Sequence, residues 1–131
     1  MRTSKTTESR GTLIVNRYIT FLDQHLKELL EGKVQDFLTL KQISSELAIS
    51  YQHLTDTVKK NTGKHPCYFY ETKILEEAKK LLREDHLKPA SVAKILMYDP
   101  SNFSKFFKRW TGETPGQFKK SENNTINSLK K

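Results

Sequence analysis

Cysteine is all but missing from this 131-residue chain, in which Cys67 stands alone. An intramolecular disulfide is thereby excluded, and a single thiol fits a reducing compartment. Long apolar runs are missing as well: no stretch is long enough to span a membrane, and the N-terminus has no signal-peptide core. A soluble, cytoplasmic protein is expected. Glycine is scarce, five residues in all, and forms no phosphate-binding loop. There is no nucleophile elbow and no paired-carboxylate context either. His25, His53, His65 and His86 are scattered, and only His65-x-Cys67 comes near a ligand spacing, whereas a metal site needs three or four ligands. Neither catalysis, a metal nor a cofactor is therefore expected, and Cys67 reads as a small hydrophobe.

Acidic residues are the next shortage, and it is local. Residues 1–50 carry 7 basic and 6 acidic side chains, residues 51–100 carry 9 and 7, and residues 101–131 carry 7 and 2. Most of the net charge of +8 thus lies beyond residue 100, which points to a polyanionic partner or an acidic surface. Length and a hydrophobic content of 35% suit one small helical domain or two lobes with a modest core.

What is present concentrates between Asp99 and Lys120. Asp99-Pro100 pairs an N-cap acceptor with proline at the first helical position. Phe103, Phe106, Phe107 and Trp110 then recur at spacings of three and four, placing the aromatic mass on one helical stripe. Ser101, Asn102, Ser104, Lys105, Lys108 and Arg109 fall on the other faces. Gly112 stops the helix, and Thr114-Pro115 starts another that carries Phe118, Lys119 and Lys120. An aromatic back with a Ser/Asn/Lys front suits a helix that docks on a small domain and offers hydrogen-bonding groups to DNA.

The pattern occurs twice. At an offset of 49 positions, Gly63-Lys64-His65-Pro66-Cys67-Tyr68-Phe69 lies under Gly112-Glu113-Thr114-Pro115-Gly116-Gln117-Phe118. In the same register Leu54 falls under Phe103, Val58 under Phe107, Lys59-Lys60 under Lys108-Arg109, Ile43 under Val92 and Leu47 under Leu96. This is an internal duplication, with too few copies for a solenoid.

Taken in order, residues 1–12 read as a flexible leader whose basic residues could reach a phosphate. Apolar residues at Val15, Tyr18, Ile19, Leu22, Leu26, Leu29 and Leu30 then mark a helix that starts at Leu13 and ends at Gly32. Thr39 and Gln42 have capping-box spacing and open a short helix, with Ile43 and Leu47 facing inward. Ala48-Ile49 makes a turn and Ser50 caps a helix from Tyr51 to Thr62. There Leu54 and Val58 are anchors, while Gln52, Thr55, Asp56 and Lys59 lie toward the other face. Gln52 can pair with adenine, and Thr55 can bond a base or touch a thymine methyl. Asp56 repels phosphate but could accept from a cytosine amino group. It is read as a helix-stabilising partner of Lys59 and Lys60.

A long helix from Pro66 to Glu84 follows, about 28 Å at 1.5 Å per residue, near the ~34 Å between successive major-groove faces. Its Glu71, Glu76 and Glu77 interleave with Lys73, Lys79 and Lys80 as a solvated face. Leu87 to Leu96 makes one more helix, with Val92, Ala93 and Leu96 inward. The residues after Lys120 read as a flexible tail.

The second copy, with Val92-Ala93, Phe103, Phe107-Lys108-Arg109, Gly112, Pro115 and Phe118, resembles the DNA-binding domain of AraC/XylS-type bacterial transcription regulators. The resemblance covers about Val15 to Lys120. It implies an all-α fold of about seven helices, two helix-turn-helix lobes (about 13–65 and 85–120) joined by a linker helix (about 66–84). It also implies double-stranded DNA and RNA polymerase as partners, a nucleoid-associated location, and action as a transcription activator. On this reading Gln52, Thr55, Ser101, Asn102 and Lys105 are the base-reading candidates. Lys59, Lys60, Lys108, Arg109 and Lys119 are the phosphate candidates. Two departures stand out: the turn position that the family usually gives to glycine is Ala48 in one copy and Met97 in the other, and the second turn is short. They leave open a second reading, a helical protein-interaction module that keeps the fold and has lost base reading.

Overall fold

The computed structural model describes residues 9–84 and 86–130, with side chains up to Glu122. Of the expected leader, residues 1–8 lie outside that range. Among the described residues there are seven helices and no strand: α1 (Arg10–Leu30), α2 (Leu40–Glu46), α3 (Tyr51–Thr62), α4 (Pro66–Leu82), α5 (Pro89–Ile95), α6 (Pro100–Thr111) and α7 (Pro115–Lys130). The all-α expectation, with two helix-turn-helix pairs and a long helix between them, is borne out. No described helix is long and apolar enough to cross a membrane.

Helix ends differ from the sequence reading where capping decides them. The first helix begins at Arg10, three residues before the expected start at Leu13, because Ser9 caps it by accepting from the Thr12 N–H at 3.0 Å. The linker helix stops at Leu82, two residues short of Glu84. Its terminal carbonyls find a partner elsewhere: Lys119 Nζ donates to the Leu82 and Glu84 carbonyl oxygens at 2.9 and 2.6 Å. At the other end, the backbone of α7 continues as helix to Lys130, into the stretch read as a flexible tail.

The duplication holds to the residue. Helices α2 and α5, and likewise α3 and α6, start and stop 49 positions apart. The turns between them repeat bond for bond: Ile49 N–H donates to the Ser44 carbonyl at 3.0 Å and Tyr98 N–H to the Ala93 carbonyl at 2.8 Å. Both recognition-type helices end on a left-handed glycine, Gly63 at φ 79° and Gly112 at φ 86°, and just before each a threonine hydroxyl donates back one turn, Thr62 to Val58 and Thr111 to Phe107. Ala48 and Met97 hold the left-handed conformation that favours glycine, at φ 60° and 64°. A side chain in that region costs about 1–2 kcal/mol, against which glycine loses about 0.5–1 kcal/mol of chain entropy. Met97→Gly is therefore expected to raise stability by about 0.5–1 kcal/mol, read as a higher denaturant midpoint at unchanged slope. A lower midpoint would mean that contacts of the Met97 side chain outweigh its backbone cost.

The chain divides into two compact units between Thr72 and Lys73, inside α4. In the first, Ile14, Tyr18 and Leu22 of α1 meet Ile43 and Leu47 of α2, the latter in the turn, and Leu54 and Val58 of α3. Each is buried, and each such side chain contributes roughly 1.5–3 kcal/mol. Two polar groups are built into this unit. Tyr18 Oη donates to the Pro66 carbonyl at 2.8 Å, and burial, aided by Cys67 and Tyr70, pushes the phenol's pKa well up. His25 is buried, with Nε2 accepting the Leu38 N–H at 3.0 Å and its ring edge-on to Phe37 at 4.6 Å. Burial pushes the imidazole's pKa down, against the pull of Glu28, and so favours the neutral ring that an accepting Nε2 requires.

The second unit has an aromatic core. Phe103, Phe106 and Phe107 of α6 are buried together with Val92, Ala93 and Leu96. Tyr98 stacks on Phe106 at 5.3 Å, and Phe107 meets Phe103 at 5.9 Å and Phe118 at 5.3 Å. The aromatic stripe expected of this helix is thus its inward face, with Trp110 half-buried at its edge. Thr114 and Gln117 exchange backbone and side-chain hydrogen bonds at 3.2 and 2.8 Å, a capping box matching Thr39 and Gln42 of α2. On α4, the interleaved charges form ion pairs, Lys79–Glu76 at 3.7 Å and Lys80–Glu77 at 3.2 Å.

Candidate nucleic-acid interface

Helix α6 owes its outward face to its inward one. Burying three phenylalanines at spacings of three and four leaves Ser101, Asn102, Lys105, Lys108 and Arg109 exposed. Asp99 lies at the N-cap, where its Oδ2 accepts from Ser101 and Asn102 N–H at 3.1 and 3.3 Å. That carboxylate closes the first turn and leaves no acid on the helix itself. Arg109, exposed as a residue, lies with its guanidinium 5.9 Å from the Phe106 ring. Hydrogen-bonding groups thus come first along this face and cations last, which suits base edges at the N-terminal turns and phosphates further on.

Helix α3 presents Gln52, His53, Asp56, Lys59 and Lys60 to solvent. Two residues here depart from the sequence reading. Thr55 Oγ1 is closed off from solvent and has no hydrogen-bond partner among the described residues, so its hydroxyl does not face outward for a base. The partner found for Asp56 is not one of the lysines that follow it. Its Oδ1 accepts from Gln52 Nε2 at 2.9 Å, one turn earlier.

Lys119 also departs from its expected place. Half-buried on α7, it holds the end of α4 through the Leu82 and Glu84 carbonyls, which removes it from the phosphate-facing set. The same end of the helix is held by Arg83, whose Nε donates to Glu122 Oε1 at 2.7 Å with the guanidinium 5.6 Å from the Phe118 ring. A cation that the sequence reading left inside the leader lies near α3: exposed Arg10 lines one recess with Ser9, Gly11, Thr57, Lys60 and Asn61. Its signal was the position at the start of α1, where a helix N-terminus and two cations share one side.

His65 and Cys67 are joined otherwise than as ligands. His65 Nδ1 accepts the Cys67 N–H at 3.1 Å, capping the start of α4, and burial pushes the Cys67 thiol's pKa up. Among the described residues no group of three or more His, Cys, Asp or Glu side chains could hold a metal ion.

Comparison with known proteins gives a consistent picture. A family model described as a helix-turn-helix domain matches residues 43–121, from the first turn of α2 into α7. Among solved structures, the chain is similar to the C-terminal domain of AraT, a response regulator from Geobacillus stearothermophilus, at 26% identity and TM-score 0.73, covering 86% of this chain and 88% of that one. It is similar to the C-terminal domain of the two-component response regulator yesN from Fusobacterium nucleatum, at 28% identity and TM-score 0.61, covering 74% and 96%. The fold is shared with the DNA-binding domain of AdpA, a global transcriptional factor, at 17% identity and TM-score 0.64, covering 79% and 94%. No curated protein sequence matches the chain.

Proposed function

The chain belongs to the AraC-type helix-turn-helix family of DNA-binding transcription regulators, and from that premise we propose that it binds double-stranded DNA sequence-specifically, with α3 and α6 entering successive major-groove segments. The observation that carries this reading is the outward face of α6: Ser101, Asn102 and Lys105 ahead of Lys108 and Arg109, all exposed, with no acid among them. The AdpA domain that shares the fold was solved in complex with a target DNA. Lys59 and Lys60 supply phosphate contacts at the matching positions of the first unit. Activation of transcription through RNA polymerase is the corollary drawn from the family resemblance.

Asn102 suits adenine and Lys105 suits guanine, each good base contact being worth about 1–3 kcal/mol of discrimination. Lys105→Ala is expected to relax preference at one or two base positions, whereas Lys108→Ala weakens all sequences alike. Affinities for a selected duplex, its single mismatches and random duplex, measured for each variant at one salt concentration, check this. A uniform loss in Lys105→Ala would place that residue on the backbone. Absence of any sequence preference in the unaltered protein would favour the protein-interaction module.

A further inference from the structure

We infer that Asp56 is a positioning residue that sets which base the first recognition helix accepts, by fixing the orientation of the Gln52 amide so that it takes adenine and rejects guanine. The inference deepens the DNA-binding reading above and rests on it. Both side chains are exposed, one turn apart on the outer face of α3, and joined by the 2.9 Å bond from Gln52 Nε2 to Asp56 Oδ1.

A carboxylate offers only acceptors, while a glutamine amide has one donating and one accepting end. Only the NH2 end can therefore turn toward Asp56, since the reverse orientation would set Gln52 Oε1 against Oδ1. One N–H is engaged by Asp56, and the amide is left with one N–H and the carbonyl oxygen, in a fixed order. Adenine presents N7 as acceptor beside the N6 amino donor, which matches that order with two bonds. Guanine presents N7 and O6, both acceptors. A free glutamine amide could turn both N–H groups toward them; one held by Asp56 cannot, and Oε1 would meet O6. The second unit has no such device, because Ser101, standing at the position equivalent to Gln52, has no amide to orient.

Asp56 acts here at a cost. Its charge opposes approach to the phosphates, so its presence on a DNA-facing helix is otherwise unhelpful. Asp56→Asn separates the two effects, since a neutral amide can accept from Gln52 or donate to it and lets the Gln52 amide turn over.

The test uses the full chain with duplexes carrying adenine or guanine at the position whose preference Gln52→Ala abolishes, affinities being read at fixed salt. Asp56→Asn is expected to lower the adenine-to-guanine ratio there about tenfold, while binding random duplex more tightly than the unaltered protein. Asp56→Glu, which keeps the carboxylate, restores most of the ratio. In the Gln52→Ala background, Asp56→Asn changes no base preference, a result that a merely structural role for Asp56 would not give. Thermal unfolding of each variant checks that α3 is intact. The inference is overturned if Asp56→Asn keeps the ratio, or if Gln52→Ala abolishes no preference at any position. Failure of the unaltered protein to bind duplex at all would instead overturn the DNA-binding reading, and this inference with it.

Discussion

Raising salt from about 50 to about 200 mM is expected to weaken binding to random duplex about a thousandfold, for six phosphate contacts with a slope near −0.9 each on a double-logarithmic plot. Exposed Arg10, Lys59, Lys60 and Lys64 in the first unit and Lys108 and Arg109 in the second supply six such contacts on the proposed reading. A cation that neutralises a phosphate does so by displacing a condensed counterion, so on that reading salt competes with the protein contact by contact. Replacing any one by alanine lowers the slope by about 0.9. Lys119→Met, by contrast, leaves the slope in place and lowers stability, because that ammonium is bound to backbone carbonyls. A salt titration with each variant decides the matter. A flat dependence would leave the cationic face without a polyanion and favour a protein partner.

Phe107→Ala is expected to cost about 3–5 kcal/mol. The side chain is fully buried, touches the Phe103 and Phe118 rings, and stands where its equivalent in the first unit, Val58, is also fully buried. Deleting the ring leaves a cavity that the rigid Phe103 and Phe118 rings cannot close, whereas Val58→Ala removes only two methyl groups and leaves a smaller void. Chemical denaturation of the two variants checks the asymmetry. Equal losses would mean that the Phe107 ring contributes no more to its core than the two methyl groups of Val58 contribute to theirs.

The fold was largely readable because its cues are local. Apolar residues at helical spacing, Ser50 and Asp99 as caps, and Gly63 and Gly112 as stops act within one or two turns, and the repeat supplied each cue twice. The second recognition face was readable for the same reason: Phe103, Phe106 and Phe107 determine by elimination which residues face out. What escaped depends on partners distant in sequence or on competition between near ones. Lys119 reaches carbonyls 37 and 35 positions away, and His25 reaches a backbone N–H 13 positions away, so neither contact leaves a mark in the local pattern. Asp56 had three possible partners within four residues, Gln52, Lys59 and Lys60, and spacing could not rank them. Thr55 sits at the border between the buried and open faces, where a few degrees of helix rotation decide whether a hydroxyl is open or closed.

The clamp that Lys119 places on the end of α4 has an electrical meaning. A helix carries about half a negative charge at its C-terminus, and the ammonium sits on the carbonyls where that charge resides. Pole and cation largely neutralise one another, so at a distance the pair looks like a dipole and its field decays faster than that of a lysine standing in water. The positive potential sensed by an approaching polyanion is therefore not the sum of the cationic residues in the sequence. It is the pattern left after the helix ends have taken theirs, and in the second unit that pattern is drawn by α6.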